Sequence, residues 1–465
     1  MSHLPETWQT ADLESLGRLF CGQSPSTADV NKEGKGTPYV TGPEQWDGRK
    51  ILLHKWTTSP KRTVPDGCIF ITVKGAGVGT LFPGVPCVIG RDIYAFKPHP
   101  SLDKRFFELA LRFTIEGIIR QAKGDIPGLS KNQIFDHEIG IPPTAEQRRI
   151  VAKIEELFSE LDEGIENLKQ ARAQLAVYRQ ALLKHAFEGK LTADWRAAHA
   201  DQLESAVEGS TDDLRQLPTG WLWQRLGDIS VVSGGLTKNP KRESLPGKMK
   251  YLRVANVYAD RLDLDDVREI GVTEDEARRL VLEKGDLLVV EGNGSIDQIG
   301  RVAEWAGSIQ ECGHQNHLIR ARFSAAVLPR FALRFLQSPR GRDAIVKAAS
   351  STSGLHTLSI SKVANLSIPV APLPEQEALL SLIEPAFDYI AALETDIDAN
   401  LQKAEALRQS ILKKAFAGEL VPQDPADLPA AVLLAGIRAA KAKEPKARPV
   451  RSRAPKSETA ETALP

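Results

Sequence analysis

The clearest pattern along the chain is a long apolar stripe that occurs twice. Between residues 144 and 187, Ile150, Ile154, Leu157, Leu161, Ile165, Leu168, Leu175, Tyr178 and Leu182 follow one another at steps of three, four or seven, with acids and bases between them. Between 374 and 416 the same spacing runs through Leu379, Ile383, Phe387, Ile390, Leu393, Ile397, Leu401, Ala404, Leu407 and Ile411. Such steps keep side chains on one helical face, so each stretch predicts a long amphipathic helix. Thr144-Ala145-Glu146-Gln147 reads as a capping box, Pro374 suits a first helical position, and Gly189 and Gly418 stand where the helices should stop. Some 40 residues make a rod of roughly 60 Å at ~1.5 Å per residue. One rod cannot hide its seam from water, so the two seams are expected to pack together.

The helices belong to an internal repeat. Leu4-Pro5, Trp8, Leu13 and Leu16 recur as Leu217-Pro218, Trp221, Leu226 and Ile229, and the block Tyr178–Leu191 aligns without gaps on Leu407–Leu420. The separation of matched positions grows toward the end, so the copies differ by insertions in their middles while their ends stay in register. Variable middles on fixed frames suggest two readers of different targets. The middles hold short β-rich runs such as Cys68–Val73 and Asp286–Val290 between glycine-rich turns. They predict α/β or mixed α+β domains with irregular sheets. The expected division is 1–142, a helix over 143–190, a polar linker over 191–216, a second domain over 217–371, a second helix over 372–420, and an extension over 421–465. The extension ends in a basic tail whose composition predicts disorder.

Composition narrows the class. Apolar residues make up 42% and charged residues 26% of the 465, as in globular proteins. Cys21, Cys68, Cys87 and Cys312 are scattered, which predicts neither a disulfide framework nor a thiolate zinc site. The opening MSHLPETWQT lacks a signal pattern, and no run of 18 apolar residues occurs, so neither export nor a membrane span is expected and the cytoplasm is the expected compartment. Lysine plus arginine equals aspartate plus glutamate at 60 each. A nucleic-acid surface would therefore need local segregation of charge.

The exits of the two middles carry the most specific residues. Ile139–Pro143 precedes Glu146-Gln147, and Ile368-Pro369-Val370-Ala371-Pro372 precedes Glu375-Gln376. Each long helix closes in an Arg-Gln-x-x-Leu-Lys-x-Ala-Phe-x-Gly block. Two of each, in this order, make the chain resemble the specificity subunits of type I restriction-modification enzymes as far as about Gln423. The resemblance implies two target-recognition domains, each reading one half of an interrupted double-stranded DNA site, separated by a coiled pair of antiparallel helices that acts as a spacer. It also implies two methyltransferase and two motor-nuclease partners, with S-adenosylmethionine, ATP and Mg used by those partners and no cofactor or metal held by this chain. The helical regions are implied to bind the methyltransferases, which makes Glu146, Gln147, Arg179, Gln180, Lys184 and Phe187, and likewise Glu375, Gln376, Arg408, Gln409, Lys413 and Phe416, candidate partner contacts.

Candidate DNA contacts are polar and basic residues on turns that join or follow strands. In the first copy these are Lys61, Arg62, the turn Lys74, Gly75 and Gly77, and Ser130, Lys131 and Asn132. In the second they are Lys238, Asn239, Lys241, Arg242, Asn293, Ser295, Gln298, Ser361 and Lys362, with His314, Gln315 and Asn316. Lysine and backbone N–H groups neutralise phosphate, and asparagine can pair with adenine. Gly124, Gly128 and Gly354 could bring backbone amides near phosphate, although turn geometry would also explain them.

Enzymatic readings are weaker. Gly75–Gly79 lacks dinucleotide-loop spacing and is followed by Leu81-Phe82-Pro83, which reads as a hairpin turn; no phosphate-binding loop and no Asn-Pro-Pro-Tyr-like methylation motif occurs. Asp286 with Glu291, or His314 with His317, could hint at a metal, but neither has a matching partner in the first copy. A non-catalytic subunit is expected. The alternative is a coiled-coil scaffold that assembles partners without reading DNA, which the zero net charge favours.

Overall fold

The computed structural model describes residues 4–75, 77–119, 128–203, 217–352 and 355–443. It forms two compact units, residues 1–165 with 401–465, and residues 166–400. The units are not the two sequence copies. Each holds one variable segment, the start of the long helix that follows it, and the end of the other long helix.

In the first unit a sheet runs in the order Gly17–Cys21, Ile93–Pro98, Ile69–Thr72, Leu81–Pro83, each neighbour antiparallel. Alternation splits the central strand between two cores. Ile69 and Ile71 pack with Phe106, Phe107, Ile150 and Ile411, whereas Cys68 and Phe70 pack with Val40, Phe82 and Ile89. That second core sits under a five-stranded sheet in which Thr37–Val40 runs parallel to Cys87–Ile89. A short pair, Gln9–Asp12 with Glu138–Ile141, joins the entry and exit of the segment.

The second unit repeats this plan. Ser230–Gly234, Leu318–Phe323, Leu287–Val290 and Val302–Glu304 follow in the same order and sense, Gly247–Leu252 runs parallel to Cys312–His314, and Leu222–Arg225 pairs with the exit strand Ser367–Val370. Leu287 and Val289 face one core, Leu288 and Val290 the other. The two copies are therefore mixed α and β on one repeated frame, and they differ in the sheets added outside it.

The long helices span Thr144–Phe187 and Leu373–Ala417, 44 and 45 residues. Inside the second unit Arg172 meets Asp398 at 2.8 Å and Arg179 meets Glu394 at 2.9 Å, a descending order that fixes an antiparallel pair. Inside the first unit Arg408 pairs with Asp162 and lies over the Phe158 ring at 4.5 Å. Both helices end on glycines with positive φ, Gly189 at 70° and Gly418 at 76°. Lys190 N–H then reaches His185 O at 3.0 Å and Glu419 N–H reaches Lys414 O at 2.9 Å, closing the last turn twice in the same way.

One expectation changes, and two segments gain definition. The capping box read into Thr144–Gln147 does not form around Gln147, whose side chain bonds elsewhere (below), and Thr144 is already helical. The linker is ordered in its described part, with helices Ala193–Ala198 and Ala200–Leu203 and a buried Thr192. The extension carries a helix, Ala430–Lys443, whose Ala430, Leu434 and Ile437 enter the same core as Leu13 and Leu16. Its apolar run is short, and only tertiary packing gives it a face to cover. The rest of the linker, the basic tail beyond Lys443, Gly124 and Gly354 lie outside the described residues. Among the described residues no helix is long and apolar enough to cross a membrane.

Candidate nucleic-acid interface

The sequence-selected loops converge on one turn in each unit. In the first unit it is Gly90-Arg91-Asp92, between Cys87–Ile89 and Ile93–Pro98. Gly90 N–H donates to Val40 O at 2.8 Å, Gln23 N–H to Ile89 O at 3.0 Å, Ile89 N–H to Arg62 O at 3.0 Å, Val73 N–H to Asp92 O at 2.8 Å, and Leu129 N–H to Val73 O at 2.8 Å. These bonds gather Lys61-Arg62, Lys74-Gly75 and Ser130-Lys131-Asn132 around the turn.

In the second unit the turn is Gln315-Asn316-His317. Gln315 N–H donates to Leu252 O at 2.9 Å, Leu236 N–H to His314 O at 2.8 Å, Glu291 N–H to His317 O at 3.0 Å, and Leu358 N–H to Glu291 O at 2.7 Å. Val40, Gln23, Val73 and Leu129 thus have counterparts in Leu252, Leu236, Glu291 and Leu358. Lys238-Asn239, Asn293 and Ser361-Lys362 are brought to this turn. The close approach needs glycine: a Cβ on Gly22 would lie 1.9 Å from Gly90 O, and one on Gly235 2.1 Å from His314 O.

Many selected side chains are free to meet a ligand. Lys61, Arg62, Lys74, Asn132, Lys238, Asn239, Lys241, Ser295 and Gln298 are exposed, and Gln315 and Asn316 are half-buried; Ser361 is exposed too, but its hydroxyl meets Ser359 Oγ at 2.9 Å. Lys131 is exposed over the Phe135 ring at 4.6 Å. Gly75 has φ of 84° and accepts from Val78 N–H at 3.1 Å, while Gly77 accepts from Thr80 N–H at 3.0 Å. These bonds close the hairpin between Ile69–Thr72 and Leu81–Pro83.

Other selected residues serve the fold. Arg242 is not an open phosphate contact: it grips Glu276 through two N–H groups at 2.8 and 3.0 Å, and Thr237 O and Gly271 O at 2.6 and 3.0 Å. That guanidinium holds the Glu276 carboxyl down at about 2. His314 is fully buried with Nδ1 at 2.9 Å from Leu318 O, and burial pushes its pKa down to about 4, so it is a neutral core residue and cannot reach a base. Its neighbour His317 turns away to Glu291 at 2.8 Å, while Asp286 is buried against Arg322 at 2.7 Å; neither suspected pair forms a joint site. Lys131 and Asn132 open a short helix capped by Ser130, and Lys362 lies in another, capped by Ser359, with its ammonium on Ser350. Asn293 Oδ1 accepts Ser295 N–H at 2.9 Å.

The helical candidates divide by face. Glu146, Gln147, Glu375, Gln376 and Phe187 are buried and so present nothing to a partner in this chain. Glu146 accepts from Trp8 Nε1 at 3.0 Å and Gln423 Nε2 at 2.5 Å, and burial pushes its carboxyl upward. Glu375 accepts from Thr192 and Arg196. Gln147 accepts Asp103 N–H and donates to Pro142 O; Gln376 accepts Leu328 N–H and donates to Ala371 O and Ala326 O. Phe187 packs on Phe331 and Phe335, and Phe416 on Phe106 and Phe113. Arg179 and Arg408 brace the opposite helix, as above. Gln180, Lys184, Gln409 and Lys413 stay on the exposed face.

Sequence reading passed over Arg91. The run around it looks like an ordinary apolar hairpin, and only alignment of Cys87 on Cys312 sets Gly90-Arg91-Asp92 against Gln315-Asn316-His317.

Residues 5–170 match the family described as type I restriction modification DNA specificity domain. The chain is 31% identical over 320 residues to the type I restriction enzyme EcoKI specificity subunit of Escherichia coli K12, a match spanning 65% of this chain and 64% of that relative. It is 25% identical over 462 residues to the EcoBI specificity subunit of Escherichia coli, across 94% of this chain and 93% of the relative. Its fold resembles a chain from a structural study of complex assembly and conformational transition of the type I R-M system, with a TM-score of 0.66 at 18% identity over 90% of this chain and 100% of that one. The HsdS subunit from Thermoanaerobacter tengcongensis gives 0.51 at 18% identity, over 90% and 98%.

Proposed function

Because this chain belongs to the family of type I restriction-modification DNA specificity subunits, we propose that it is the non-catalytic reader of a bipartite double-stranded DNA site. Each variable segment reads one half-site. Two adenine methyltransferase subunits and two ATP-dependent endonuclease subunits act where the chain directs them, in the cytoplasm, and S-adenosylmethionine, ATP and Mg are used by those partners.

One observation carries this reading. The same four-stranded frame, with the same central turn held by three equivalent backbone bonds and a fourth bond one segment farther out, occurs in both units and presents different side chains each time. A scaffold would have no use for two variants of one loop cluster, whereas two unlike DNA words require them. Phosphate contacts fix register and base contacts carry sequence. The exposed Lys61, Arg62, Lys74 and Lys238 around the turns suit the first task, and the turns themselves the second.

The test is single-molecule sequencing of methylated adenines in cells with and without this gene. A bipartite motif that disappears with the gene supports the reading. Identical motifs in both strains would leave the scaffold.

A further inference from the structure

The central turns have the same backbone and unlike heads. Arg91 occupies the middle of the first, its side chain 76% exposed, and Asp92 lies 3.9 Å from its guanidinium, beyond hydrogen-bond reach. Gln315 and Asn316 occupy the second, and among the described residues neither side-chain amide has a hydrogen-bond partner.

We propose that these turns discriminate one base in each half-site: Arg91 takes a guanine in the first, and the Gln315-Asn316 pair takes an adenine in the second. The proposal rests on the DNA-reading function above and assigns that function to particular atoms. A guanidinium fork donates two N–H groups to O6 and N7 of guanine. A primary amide donates to N7 and accepts from N6 of adenine. Each of the two heads can make one of these pairings and not the other.

The surroundings fit a reading position. A base-reading side chain needs a rigid root, because misplacement by an ångström loses a bidentate pair. Both roots are fixed by backbone bonds to separate strands, and in both units a glycine, Gly22 or Gly235, lets a neighbouring loop press against the turn. It also needs positive charge beside it to seat the phosphates. Lys61, Arg62 and Lys74 flank the first turn, and Lys238 the second, all exposed. Arg242, close in sequence to Lys238, is held by Glu276 and is the internal contrast.

The experiment is methylation sequencing in cells carrying the whole restriction-modification system, with Arg91→Lys, Arg91→Gln and the double variant Gln315→Ala, Asn316→Ala. Arg91→Lys keeps the charge and loses the fork, so it is expected to weaken discrimination at one base of the first half-site by about ten- to hundred-fold. Arg91→Gln should move that base toward adenine. The double alanine variant should relax one base of the second half-site and leave the first intact. An unchanged motif in all three, full retention of the motif by Arg91→Lys, or loss of both half-sites together would overturn the assignment. If the motif depends on this gene yet ignores these substitutions, only this inference fails; if the motif is independent of the gene, the function itself fails.

Discussion

Gln147 accepts the backbone N–H of Asp103 at 2.8 Å, at the start of the helix Lys104–Ile119, and returns a hydrogen bond to Pro142 O at 2.9 Å. Gln376 does the same to Leu328 and Ala371, at 2.9 and 2.8 Å, before the helix Pro329–Gln337. One buried amide therefore ties three elements: the exit strand, the long helix, and the amino end of the helix under the sheet. A leucine here would keep the volume but orphan a buried N–H and a buried carbonyl. Gln376→Leu is expected to cost about 1–3 kcal/mol, since each unsatisfied buried group carries its desolvation penalty. Urea unfolding of the second unit's signal, for instance from Trp221 and Trp223, measures it; no shift in midpoint would contradict the role given to the amide.

Truncation before Asp424 removes the helix Ala430–Lys443, the Arg149–Asp427 ion pair at 2.6 Å and the Ala430 N–H bond to Thr7 O. Composition predicted disorder only for the basic end of this extension, and the helix ahead of it is packed. Losing buried Leu434 and Ile437 alone forfeits on the order of 1.5–3 kcal/mol each. Thermal melting of the truncated chain should show the first unit unfolding several degrees earlier, and methylation should weaken across the first half-site. Unaltered melting would refute this.

Acid should loosen the second unit through His314. Its folded pKa is about 4 against an ordinary 6.5, the cause being burial. Between those values the unfolded chain holds a proton that the folded chain excludes, so lowering the pH favours unfolding. The stabilisation is complete above pH 6.5 and is lost progressively down to pH 4. Denaturation midpoints across that window should fall more steeply for the wild type than for His314→Asn; parallel slopes would show that the ring does not titrate as argued.

Charge removal should separate the two kinds of arginine. Arg62→Ala, combined with Lys61→Ala, is expected to lower DNA affinity without changing the sequence preferred, and to flatten the salt dependence by about 0.9 in log–log slope for each phosphate no longer neutralised. Arg242→Ala should leave the salt slope alone and instead reduce stability, because Glu276 and two carbonyls lose their partner. Filter binding across a salt series with the assembled complex reads both; equal slopes for all variants would remove Lys61 and Arg62 from the interface.

What the chain determined by itself was the repeat, both long helices and the mixed sheets. Side-chain spacing and paired end motifs are local properties, so Ile150 and Ile154 announce their face without knowledge of a partner. Gly189 and Gly418 were legible as helix stops for the same reason, since a left-handed residue is a local requirement. Glu146-Gln147 and Glu375-Gln376 were legible as signatures, but not as buried clasps, because the groups they satisfy lie tens of positions away in the chain.

The tertiary structure alone decided which ends of the helices join which segment, and which loops meet. Lys61, Lys74 and Ser130 are scattered in sequence, and nothing local says that Asp92 and Val73 are bonded to one another. Arg91 became visible only because backbone hydrogen bonds between distant strands place its turn at the centre of that group. Arg242 and His314 proved unable to face DNA for the mirror-image reason: an ion pair with Glu276 and a desolvated core are properties of packing, which a residue's type and neighbours in sequence do not contain.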